Sequence, residues 1–256
     1  MQRGSATLQS VLQLLLSYFM RAIVVRHYKT LLNASDQILG WGDAPRAKDW
    51  QTDLGVVDDT LRARGIKLDA ICSSVLERSR QTAMYFARRH GIPIVYDSPA
   101  LNEVNYGLLY RKSKKWVAGN IPQHKKDPDF VYPEGESFRQ MQTRSVRFLV
   151  SLTSLFPQET VLVVVHAGVI RGFVCHFLGL DYAEHLQEKI SHRYIGEFGF
   201  EGERCVSYDE WGKPSGFVRS GAVGIPFRQA ASAAATCLTR AAPQVGTSRV
   251  SSGETP

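Results

Sequence analysis

Residues 161–165, Val-Leu-Val-Val-Val, are apolar at every position and pass without a loop into a helical pattern opening at Ala167. A strand that is hydrophobic throughout, rather than at alternate residues, must be covered on both faces. A strand feeding straight into a helix is how parallel sheets are built. The same alternation recurs along the chain. Ala22 to Val25, Leu68 to Cys72 and Ile94 to Tyr96 are further short apolar runs. Asp53 to Arg64 places Leu54, Val57 and Leu61 at helical spacing, and Ser79 to His90 reads as a helix closed by Gly91 with Pro93 beyond. In Ser137 to Phe156, residues Phe138, Met141, Ser145, Phe148, Leu152 and Leu155 make one stripe that Pro157 stops. Tyr194 to Phe200 and Cys205 to Tyr208 flank Gly202 and read as a hairpin. The pattern predicts an α/β fold, a three-layer α/β/α sandwich with a mainly parallel sheet and an antiparallel edge.

Met20 opens the first strand pattern, so the domain is expected over residues 20–219 of a 256-residue chain. Residues 1–19 read as an N-terminal extension or as a mis-assigned start, not native to the domain. Their apolar patch around Leu12 and Leu16 lies behind Arg3, and no small-x-small cleavage site precedes Arg21. Residues 220–256 lack periodicity and are expected to form a disordered tail, with a short Ala-rich surface helix as the alternative. No run reaches the length of a membrane span. Cys72, Cys175, Cys205 and Cys237 stand far apart with no metal-ligand spacing, as in the reduced thiols of a cytoplasmic protein with neither metal nor cofactor. The formal charge is +7, concentrated partly in Arg111, Lys112, Lys114, Lys115, Lys125 and Lys126. That suits an anionic small molecule or a solvated helix face, and is weak evidence for nucleic acid.

Ligands of open parallel sheets bind beyond the carboxyl ends of the strands. Here those ends carry Arg26-His27, Ser73-Ser74 with Arg78 beyond, Leu101-Asn102-Glu103, and His166-Ala167-Gly168. Two Arg and two His brought together need anionic cargo, and guanidinium forks match phosphate.

These segments resemble the histidine phosphatase superfamily, the phosphoglycerate-mutase-like fold. Arg26-His27-Tyr28 with Asn33 resembles the family's first signature, and Gly40-Trp41-Gly42-Asp43-Ala44-Pro45 the loop that follows. Ser73 to Arg78 with Gln81-Thr82-Ala83, Leu101-Asn102-Glu103 with Gly107, Pro133-Glu134-Gly135-Glu136-Ser137, and Val164 to Arg171 complete the set in order. The resemblance implies His27 as the nucleophile, forming a phosphohistidine. It implies Arg26, Arg78 and His166 as the phosphate grip with Asn33 assisting, and Glu103 as the proton donor. Tyr28 stands where the family has Gly, which predicts a bulkier cavity mouth. Gly40, Tyr28 and Arg111 are expected to touch the substrate.

The leading expectation is a metal-independent phosphatase acting on a phosphorylated small molecule, with no nucleic-acid or membrane partner and homo-oligomerisation left open. One rival is a phosphoglycerate-type mutase, although the stretch from Glu103 to Gly135 is short for that class. The other is a non-catalytic anion-binding or interaction module.

Overall fold

The computed structural model describes residues 19–212 and 239–240. In chain order its elements are β1 (Phe19–Arg26), α1 (Leu31–Ala34), α2 (Trp50–Ala63), β2 (Ala70–Ser74), α3 (Glu77–His90), β3 (Val95–Ser98), α4 (Lys114–Asn120), α5 (Phe138–Leu155), β4 (Thr160–Val165), α6 (Ala167–Leu178), α7 (Tyr182–His185), β5 (Ile195–Glu201), β6 (Arg204–Glu210) and β7 (Thr239–Arg240). Short 3-10 turns stand at Pro99–Leu101 and Gly107–Leu109.

The sheet order is β6-β5-β1-β4-β2-β3-β7. The pairs β1–β4, β4–β2 and β2–β3 are parallel, and the hairpin β5–β6 continues the sheet antiparallel beyond β1. This is the expected mainly parallel sheet with an antiparallel edge. All six residues of β4 are buried, as a central strand requires. Successive residues of β1 and β4 feed two separate cores. Ala22, Val24, Val161 and Val163 pack with Met141, Phe148 and Phe173 of α5 and α6. Ile23, Val25, Leu162 and Val164 pack with Leu54, Leu61 and Phe86 of α2 and α3. Helices therefore cover both faces, and each fully buried Val or Leu contributes about 1.5–3 kcal/mol.

Local sequence sets the helix ends. The Ser137 hydroxyl accepts from the Gln140 N–H while the Gln140 side chain accepts from the Ser137 N–H, a capping box that starts α5. Gly91 and Gly179 close α3 and α6 in the left-handed conformation. Of the α5 stripe, Leu155 alone turns outward, 37% exposed at the helix end. Phe19, expected in the extension, is the first residue of β1 and pairs with Glu201. Residues 1–18 lie outside the described residues. So does the expected tail apart from Thr239 and Arg240, which pair with Asp97 and Tyr96 on the open side of β3. Cys72, Cys175 and Cys205 are buried free thiols, and Cys237 lies outside the described residues. Among the described residues no helix is long and apolar enough to cross a membrane.

Candidate active site

Because β1 and β4 are neighbours running the same way, the residues that follow them meet. The His27 N–H donates to the Val165 carbonyl at 3.0 Å, and the His27 and His166 rings stand 4.9 Å apart, centre to centre. His27 Nδ1 lies 2.6 Å from the Tyr28 carbonyl oxygen. A carbonyl only accepts, so Nδ1 carries the ring proton and Nε2 keeps its lone pair. His166 is fully buried, with Nε2 2.6 Å from the Ser74 hydroxyl at the end of β2 and Nδ1 without a partner.

The two guanidinium groups converge on the same place. Arg26 donates to the Ile190 carbonyl, and Arg78 to the carbonyls of Gly40 and Gly42 at 2.6 and 2.8 Å. In both, Nε is buried with no partner. An unmet buried donor costs about 1–3 kcal/mol. Two unmet guanidinium nitrogens on residues of one cavity wall, and a third unmet nitrogen on the His166 ring behind it, fit an anion that brings several oxygens. Burial lowers Arg26 and Arg78 to about 10, so both stay cationic at neutral pH. Burial, followed by the charges of Arg78, His166 and Arg26, holds His27 well below the usual imidazole range. His27 is thus a neutral base between cations.

Glu103 comes from the loop after β3. Its Oε2 accepts from the Gly168 N–H at 3.1 Å and its Oε1 from the Val104 N–H at 3.0 Å. A Cβ on residue 168 would occupy the space of Oε1, so the carboxylate reaches the start of α6 only over glycine. The amides at this helix start are therefore not all free for a ligand.

These groups line a cavity of about 620 Å³. Arg26, His27, Asn33, Gly40, Arg78 and Glu103 all contribute to its wall, while His166 sits behind it against His27. Asn33 is held by a capping box, its Oδ1 accepting from the Thr30 N–H.

Two expected substrate contacts are elsewhere. Tyr28 is not at a cavity mouth. It is 2% exposed, its ring meets Trp50 edge-on at 5.3 Å, and its hydroxyl donates to Gln81. A phenol gains more by burying its ring between α2 and α3, where its hydroxyl finds an amide, than by facing solvent. Arg111 is exposed at a left-handed turn, φ 65°, tied only by its backbone to Ile38, and does not line the cavity. Basic charge arrives instead from Lys114, Lys125 and Arg171. His192, which carries no signal in the sequence, also lines the cavity, with Nδ1 donating to the His27 carbonyl at 2.8 Å. Glu77, the carboxylate next to the phosphate-grip Arg78 in sequence, accepts from the Gln81 side chain. Among the described residues no group of three or more His, Cys, Asp or Glu is arranged to hold a metal ion.

A sequence model of the histidine phosphatase superfamily (branch 1) matches residues 22–210. The 2,3-bisphosphoglycerate-dependent phosphoglycerate mutase of Bartonella quintana is 24% identical over 195 residues, covering 72% of this chain and 94% of that protein. Among solved structures, Bacillus stearothermophilus YhfR superposes with a TM-score of 0.65 at 22% identity, covering 73% of this chain and 94% of its own. Mycobacterial glucosyl-3-phosphoglycerate phosphatase in complex with VO3 gives 0.62 at 21% identity, covering 70% and 92%. At these identities the solved structures establish the fold.

Proposed function

This chain belongs to the histidine phosphatase superfamily, and on that premise we propose that it hydrolyses a phosphomonoester through a phosphohistidine on His27. One observation carries the reading: a buried, neutral imidazole whose Nε2 lone pair is free stands between two buried guanidinium groups, in one cavity with a carboxyl group.

The chemistry follows from those positions. The Nε2 lone pair attacks phosphorus, and the bond to the leaving oxygen breaks with its electron pair moving onto that oxygen. The Glu103 carboxyl delivers a proton there. In the second step the Glu103 carboxylate takes a proton from water as the water oxygen attacks phosphorus. The P–N bond then breaks, its electrons return to Nε2, and inorganic phosphate leaves. Arg26, Arg78 and His166 meet the equatorial oxygens in both steps, with Asn33 beside them. Transfer of this kind needs positioning and positive charge more than covalent assistance, and the two guanidinium groups supply that charge without a metal.

Lys114, Lys125 and Arg171 line the same cavity as the proposed phosphate grip. They favour a substrate with a second anionic group. The matched relatives point the same way, since one is named for bisphosphoglycerate and another for a phosphoglycerate ester. The mutase reading draws its support from the curated relatives, several of which are phosphoglycerate mutases at 24–25% identity.

Brief exposure to a labelled phosphomonoester, quenched in alkali, should leave acid-labile label on His27 and none on His27→Ala. Undiminished turnover in His27→Ala would overturn the mechanism. A metabolite panel run with and without bisphosphoglycerate separates the classes: release of inorganic phosphate supports hydrolysis, and bisphosphoglycerate-dependent isomerisation without release supports the mutase.

A further inference from the structure

Arg144, on α5, stands against the backbone of the Glu103 loop and uses all five of its N–H donors. Nε and Nη2 grip the two oxygens of Glu136 at 3.0 and 2.6 Å. Nη1 donates to the carbonyls of Ala100 and Asn102, each at 2.8 Å, and Nη2 also reaches the Glu103 carbonyl at 2.9 Å. Glu136 completes the frame, its Oε1 accepting from the Asn105 N–H at 2.8 Å. The loop between β3 and Tyr106, which has little regular structure of its own, is thereby tied at residues 100, 102, 103 and 105.

A second tie reaches the same carbonyl from a different segment of the chain. The Trp41 indole N–H donates to the same Glu103 carbonyl at 2.6 Å, and the Arg144 guanidinium lies over the Trp41 ring at 5.9 Å. Trp41 is 44% exposed, so its place is poorly explained by burial. Its neighbours Gly40 and Gly42 are the two residues whose carbonyls hold Arg78.

We infer that Arg144 and Trp41 are positioning residues for the general acid: they clamp the Glu103 backbone so that its carboxyl group is held at the height of the leaving oxygen. Through Gly40 and Gly42, the Trp41 loop registers that carboxyl group against the phosphate grip. The inference rests on Glu103 acting as the proton donor proposed above. General acid catalysis depends on the donor standing within hydrogen-bond reach of the leaving atom. A loop free to drift by about 1 Å loses much of that advantage. A lysine at 144 keeps the charge but has neither the planar fork nor five donors.

The test uses leaving groups of different need. Arg144→Lys, Trp41→Phe and Glu103→Gln are assayed on an alkyl phosphate, whose leaving oxygen requires a proton, and on p-nitrophenyl phosphate, which departs as a stable anion. Arg144→Lys and Trp41→Phe should each lower kcat on the alkyl phosphate about tenfold or more. On p-nitrophenyl phosphate the loss should be within about threefold, and KM should barely move. Combined with Glu103→Gln, neither should cost anything further. Trp41→Phe keeps the ring at a half-exposed site, so it reports even where the Arg144 variant fails to fold. Equal losses on both substrates, or losses that add to those of Glu103→Gln, would overturn the clamp. If Glu103→Gln discriminates between the substrates and the other two do not, the clamp alone is wrong. If Glu103→Gln itself shows no discrimination, the general-acid assignment falls and takes the clamp with it.

Discussion

A side chain this close to a neighbour can be tested by one methyl group. At residue 168 an added Cβ meets the far end of the Glu103 side chain, which can swing aside at little cost to folding. Gly168→Ala should therefore melt within a degree or two of the parent chain while losing about a hundredfold in kcat on alkyl phosphates, the scale of a general acid's contribution. Calorimetry and steady-state kinetics on one preparation check this; a large fall in melting temperature would mean that Gly168 is there for packing. Lys125 offers a different handle. Burial, helped by Arg171 and Lys114, lowers its ammonium to about 8, so it loses its charge as the pH rises through 8. KM for a substrate with a second anionic group should rise across that range, and KM for p-nitrophenyl phosphate should not. Lys125→Met should raise the former at pH 7 and flatten its dependence above it.

At the scale of elements, the turn Gly107–Leu109 joins the Glu103 loop to the segment before α5. Gly107 has φ +50°, and a Cβ there would run into the backbone carbonyl of Pro133, which cannot swing away. Gly107→Ala should cost roughly 2 kcal/mol or more, combining left-handed strain with a displaced backbone, and should show in the urea midpoint. Elements were legible in the chain in proportion to how continuously they are buried. β4 and α5 announce themselves through unbroken or evenly spaced apolar residues, and with them the ends that carry His166 and the Glu136 segment. α4 does not, because Lys-Lys-Trp-Val-Ala-Gly-Asn presents only Val117 to the interior. Arg26, His27, Arg78, Glu103 and His166 could be found because strand ends and family-like segments mark them. Lys125 shows in the sequence only as one of a cluster of basic residues, His192 reaches the cavity through tertiary packing that leaves no local pattern, and Tyr28 was misplaced because its neighbours in sequence say nothing of the pocket between α2 and α3.

For the whole molecule, buried histidines set the response to acid. Burial is the leading cause that lowers His27, His124, His166, His176 and His192, with His124 brought to about 4 and His192 to about 3. Each is neutral in the folded chain and titrates near 6.5 once unfolded. Their contribution to stability is complete above that value. As the pH falls the unfolded chain takes up protons first, so stability drops from about 6.5 to about 4 for His124 and on to about 3 for His192. The melting temperature should decline steadily from pH 7 to pH 4. A flat profile between pH 7 and pH 5 would show that these rings are not held neutral.

The site joins residues that the chain keeps far apart. Ser74 and His166 meet across 92 positions, and Glu103 and Gly168 across 65. No local helix or hairpin contains even a working half of it. Closing such distances before any contact rewards them is slow, and parallel pairing is slower than hairpin formation. After dilution from denaturant, helical ellipticity should therefore return early and turnover late, with catalysis serving as a clock for completion of the parallel pairs that β4 makes with β1 and β2.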